Sequence, residues 1–139
     1  MPLLPGTQRD IKDLERVLKS PKVGAFDEVT CLPNPDRTQM ELAIEQLFTQ
    51  NRKQDDLVLL YFSGHGIKSD DGRLYLASAN TQLDEKGEVF RSTAVTTDFI
   101  QTCMTERRSR SRRKVLILDS CFSGAVAEGM TAKAITPET

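Results

Sequence analysis

At 139 residues the chain is sized for one domain, and residues 1–139 are read as a single unit with room for a buried core. A net charge of −1, from 19 basic and 20 acidic residues, gives no basic excess to hold nucleic acid, and no apolar run reaches membrane-spanning length. Three cysteines, Cys31, Cys103 and Cys121, lack metal-ligand spacing and cannot all pair, which argues against a disulfide framework and for a reducing, cytoplasmic location.

Thr7-Gln-Arg-Asp10 has the form of a capping box, and Ile11, Leu14, Val17 and Leu18 make one apolar stripe up to Ser20-Pro21. Together they predict a first helix stopped by proline. Phe26 to Leu32 predicts a short strand ending at Pro33-Asn34-Pro35. A second helix is expected from the capping box Thr38-Gln-Met-Glu41, burying Met40, Ala43, Ile44, Leu47 and Phe48. The polar stretch Asn51 to Asp56 leads into Leu57-Val-Leu-Leu-Tyr-Phe62, a continuous apolar run of the kind found in parallel strands covered on both faces. Ile67 to Ser69, the turn signal Asp70-Asp71-Gly72 and Leu74-Tyr75-Leu76 predict a small hairpin, and Thr81 to Glu88 a charged surface loop. A third helix from Thr97 to about Arg107, burying Phe99, Ile100, Cys103 and Met104, supplies the crossover to a second apolar strand, Val115 to Leu118. Ala125 to Met130 begins a further helix.

Each apolar strand is followed by a chemically reactive residue at the same distance. His65, the single histidine, lies three residues beyond Phe62, and Cys121 lies three beyond Leu118. Open α/β sheets keep their chemistry beyond the carboxyl ends of the strands. Were the two strands parallel neighbours, about 4.8 Å apart, a thiol and an imidazole would emerge at one edge, the minimum for an activated sulfur nucleophile. A lone cysteine is more often a packed core residue; its pairing with a glycine-flanked histidine favours catalysis. Asp119 precedes Cys121 by two, so on extended backbone the two side chains share a face. A carboxylate there would pair with a substrate arginine or lysine; the plainer role is a strand-end aspartate capping the next turn. The run from Arg107 to Lys114 carries six cations in eight residues. Cations at a helix C-terminus followed by a solvated loop account for it without nucleic acid, and cleavage by an arginine-specific protease is a weaker expectation.

Tyr61-Phe-Ser-Gly-His-Gly66 followed by Leu118-Asp-Ser-Cys-Phe-Ser-Gly124 resembles the large catalytic subunit of the caspase-like peptidases. The Asp-Ser-Cys-x-Ser-Gly context is similar to metacaspases and their prokaryotic relatives, the orthocaspases, and not to the Gln-Ala-Cys-Arg-Gly of animal caspases. The resemblance spans roughly positions 5 to 130. It implies an α/β fold of three layers, α/β/α, with a mostly parallel sheet. It also implies a cysteine-type endopeptidase with Cys121 as nucleophile and His65 as base, the oxyanion held by the backbone N–H groups of Gly66 and Cys121. Asp119 and Ser63 would line a pocket for arginine or lysine, so the implied partners are protein or peptide substrates with a basic residue at the cut. No cofactor is expected. Many metacaspases bind calcium through aspartates, but Asp70-Asp71-Gly72 reads more simply as a hairpin turn, and a calcium site needs six to eight oxygens; no metal ligand is assigned. The family's opening strand and small-subunit strands have no counterpart, which makes the expected domain incomplete at both ends and open to a small-subunit segment or self-association. The alternative function is a catalytically poor caspase-like module that binds or regulates a partner, and a third is a redox-sensing thiol protein.

Overall fold

The computed structural model describes residues 7–120 and 122–123. Cys121 and the helix expected from Ala125 lie outside the described residues.

Helix α1 (Thr7–Lys19) turns its half-buried Ile11, Leu14 and Leu18 inward, and Lys19 pairs with Glu15 on the outside at 3.0 Å. Beyond it the chain folds back on the last turn, with the Gly24 N–H donating to Val17 O and the Phe26 N–H to Leu18 O. Gly24 must be glycine there, because a Cβ would stand 2.6 Å from Leu18 Cα. Helix α2 (Arg37–Thr49) starts two residues earlier than the sequence suggests. Its cap is Asp36, whose side chain accepts from the Gln39 N–H at 2.8 Å while Gln39 Oε1 accepts from the Asp36 N–H at 2.9 Å. Glu41, expected to close the box, instead pairs with Arg37 one turn back at 3.0 Å.

Residues 26 to 32 are not a strand, contrary to expectation. Apolar residues alone do not make one; a strand needs a neighbour for its ladder, and the segment has none among the described residues. It faces strand β1 (Leu57–Ser63) across a cavity of about 440 Å³, whose apolar walls include Leu14, Leu18, Val29, Met40 and Leu47.

Strand β1 runs into β2 (Gly66–Lys68), which forms an antiparallel hairpin with β3 (Leu74–Ala77) through a turn that places Gly72 at φ +85. A short turn at Arg91–Thr93 leads to β4 (Ala94–Thr96), an unforeseen third strand antiparallel to β3. Helix α3 (Thr97–Thr105), capped by the Thr96 side chain on the Phe99 N–H, then crosses to β5 (Arg113–Asp119), and the chain ends its described course in β6 (Phe122–Ser123). β5 lies parallel to β1, from Leu57↔Arg113 to Ser63↔Asp119. β6 lies parallel to β2, so the four-stranded layer reads β4-β3-β2-β6.

Alternation along β1 and β5 decides where the core sits. Val58, Leu60, Phe62, Leu116 and Leu118 pack onto α2 and α3 through Met40, Ile44, Phe48, Ile100, Cys103 and Met104. The opposite face is only partly covered: Val115 and Ile117 remain 37% and 43% exposed. The apolar runs thus reflect burial on one face, with the other left open among the described residues. Three cations of the basic run, and a serine within it, are tied to neighbouring groups. Arg108 pairs with Glu45 and Glu106, the Lys114 amine donates to Met104 O and Ser109 O, the Arg113 guanidinium donates to Asp55 O, and the buried Ser111 hydroxyl donates to Asp56 O. Among the described residues no helix is long and apolar enough to cross a membrane.

Candidate active site

The candidate site lies where the β1–β5 ladder gives way to the β2–β6 ladder. β1 ends at Ser63 and resumes as β2 at Gly66; β5 ends at Asp119 and resumes as β6 at Phe122. Ser63 pairs with Asp119 and Gly66 with Phe122, so partners are 56 positions apart in both ladders (119 − 63 and 122 − 66). Gly64 and His65 lie between β1 and β2, and two sequence positions likewise separate Asp119 from Phe122. His65 and Cys121 are themselves 56 apart in sequence.

His65 is half-buried at the end of the apolar cavity, near Ser63 and Ser78. Its carbonyl accepts from the Ala77 N–H at 3.0 Å, carrying the β2–β3 ladder one residue beyond Gly66. Behind it, Ser78 and Thr81 are both buried and both donate hydroxyl hydrogens to Thr93 O, at 2.9 and 2.6 Å, which fixes the turn that follows β3. Hydrogen-bonded and non-hydrogen-bonded pairs alternate in an antiparallel ladder. With His65 and Ala77 bonded, the N–H and C=O of Gly66 are directed away from β3 and toward β6.

Ser63 and Asp119, both expected to bind substrate, come together as register partners on one face. The Gly64 N–H reaches Asp119 O at 3.4 Å, extending the β1–β5 ladder beyond Ser63. The Asp119 side chain is exposed, and its Oδ2 accepts from the Tyr61 hydroxyl at 3.0 Å. Sequence reasoning passed over Tyr61 as one apolar residue in a strand. The available signal was its position two before Ser63, on the same face as the carboxylate.

The other cysteines are placed for packing. Cys103 is in the core, where burial pushes its thiol pKa up. Cys31 lines the cavity, and its thiol is pushed up first by burial and then by the neighbouring Glu15 carboxylate. Asp71 serves the hairpin: it accepts from the Ser69 hydroxyl and the Arg73 N–H and pairs with Arg91 at 3.6 Å, contacts that hold its carboxyl below the usual range. Asp70 instead shares a hydrogen bond with Glu88, which raises the Glu88 carboxyl. Among the described residues no group of three or more His, Cys, Asp or Glu side chains is arranged to hold a metal ion.

A mostly parallel sheet with helices packed on it, and a histidine just past the carboxyl end of a parallel strand, fits an α/β fold of the caspase type. The caspase-domain family model matches residues 1–138, and the chain belongs to that family of cysteine peptidases, whose substrates are proteins. A comparison with curated proteins gives no match.

Proposed function

We propose that the domain is a cysteine endopeptidase of the metacaspase-like kind, cutting after arginine or lysine with Cys121 as nucleophile and His65 as base. The observation that carries this reading is the constant offset of 56 through both parallel ladders, the same offset that separates the two residues. In this mechanism His65 takes the thiol proton and the thiolate adds to the scissile carbonyl carbon. The oxyanion that forms is met by the N–H groups of Gly66 and Cys121. Collapse breaks the C–N bond, and imidazolium gives its proton to the departing amine, leaving a thioester. Water, its proton taken by His65, adds to the thioester and releases the acid and the free thiol. Asp119, with Ser63 beside it, supplies the negative charge that a substrate guanidinium or ammonium requires. A small-subunit segment or a second copy would complete the wall of that pocket.

Fluorogenic peptides with arginine, lysine or aspartate before the cut test the reading. Arginine and lysine peptides should be hydrolysed and aspartate peptides should not. Cys121→Ala should abolish turnover, and His65→Ala should reduce it roughly 10²- to 10⁴-fold, the range for loss of a general base. Faster cleavage after aspartate would refute the specificity. Undiminished turnover in Cys121→Ala would refute the mechanism.

A further inference from the structure

Leu59, Tyr61, Ser63, Val115, Ile117 and Asp119 share one face of the β1–β5 pair, because register partners in adjacent strands point the same way. Tyr61 is opposite Ile117, one pleat behind the Ser63–Asp119 pair. It is therefore the diagonal neighbour of Asp119, a separation that an aromatic side chain spans. Its hydroxyl does so, donating to Asp119 Oδ2 at 3.0 Å. The ring is half-buried where it lines the apolar cavity, while the carboxylate it meets is exposed.

An exposed aspartate on its own samples several χ1 wells and a broad χ2. A donor on one oxygen narrows that freedom and leaves the second oxygen, with the remaining lone pairs, to face a ligand. We propose that Tyr61 is a positioning residue for specificity: its hydroxyl holds the Asp119 carboxylate in the orientation that receives the basic side chain of the substrate. The inference rests on Asp119 being the carboxylate that recognises substrate. The preorganised oxygen matters for a bidentate guanidinium, whose donors have a fixed geometry, and much less for a side chain without charge. Tyr61 touches no reacting atom, so its effect belongs in substrate affinity and not in the chemical step.

The test compares arginine peptides with citrulline peptides, which match arginine in shape but carry no charge. In Tyr61→Phe the ring and its packing remain and only the hydroxyl is lost. KM for arginine peptides should rise roughly three- to tenfold, the equivalent of one ordinary hydrogen bond, with kcat and all citrulline constants unchanged. Asp119→Asn should remove the preference for arginine over citrulline, and adding Tyr61→Phe to it should change nothing further, as a double-mutant cycle requires for two residues acting as one. Should the wild type not prefer arginine, or Asp119→Asn keep that preference, the assignment of Asp119 fails and the positioning role fails with it. Should Asp119→Asn lose the preference while Tyr61→Phe keeps the wild-type KM, Asp119 stands and Tyr61 is overturned. A Tyr61→Phe effect on kcat equal for arginine and citrulline peptides would mark the residue as structural and equally overturn the inference.

Discussion

Lys114 offers a perturbation in which stability and catalysis should separate. It enters β5 with its amine turned back to donate to Met104 O, in the last turn of α3, and to Ser109 O at 3.0 Å in the loop between them. One side chain thus ties helix end, loop and strand together. Lys114→Met keeps most of the stem and removes both bonds. Hydrogen bonds to a charged group contribute about 1.5–3 kcal/mol when well buried, and a cation at a helix C-terminus adds about 0.3–1 kcal/mol. Against this stands the cost of removing the amine from water, which lowers its pKa from the ordinary lysine value. Partial exposure discounts the gains further, leaving a net loss of about 1–2 kcal/mol in the variant. For a domain of this size that corresponds to a fall in Tm of roughly 3–7 °C. Thermal unfolding followed by circular dichroism reads the loss, and hydrogen exchange should show it concentrated between Glu106 and Arg112. Peptide hydrolysis at 25 °C should be unchanged, because Asp119 lies five residues farther along β5, about 17 Å away at strand rise. A variant as stable as the wild type, or one equally stable but slower, would refute the argument.

Two further outcomes follow from the titrating groups. In the folded protein, iodoacetamide should reach Cys31 and Cys103 only at alkaline pH, since burial raises both thiols, whereas Cys121 should react below the ordinary thiol pKa of about 8.5 and lose that advantage in His65→Ala; equal labelling of all three would contradict the dyad. Glu88, raised chiefly by its hydrogen bond to Asp70, favours its protonated form when folded, so its contribution to stability falls as pH rises through that raised range. Glu88→Gln should therefore show a higher Tm than wild type at neutral pH and a vanishing difference below about pH 4; the same difference at every pH would contradict the pairing.

The elements legible in the sequence are those whose signal is local. The stripe at Met40, Ile44 and Phe48, the proline after α1 and the turn at Gly72 each fix structure through residues within a few positions of one another. Residues 26 to 32 failed because strand formation is not local: the same residues become strand only beside a partner. The short β4 was missed for the converse reason. Ala94-Val95-Thr96 carries little signal of its own and becomes a strand because β3 lies beside it. At α2 two overlapping capping boxes competed, and the one beginning at Asp36 prevailed, freeing Glu41 to pair with Arg37.

The site was legible to a different depth for a related reason. A histidine and a cysteine at equal distances beyond two apolar runs can be related by one tertiary fact, that the runs are parallel neighbours, and the β1–β5 ladder shows that the runs are. Ser63 and Asp119 follow at once, since they are the last partners of that ladder. Tyr61 needs a second fact, that a diagonal contact forms across the pleat, and strand pattern alone does not distinguish a tyrosine reaching a carboxylate from one filling space. The proposed catalytic pair is thus a matter of register, whereas the proposed specificity depends on side-chain reach. On the proposal made for Tyr61, Tyr61→Phe, which preserves the apolar pattern of β1, would leave the fold intact while raising KM for arginine substrates.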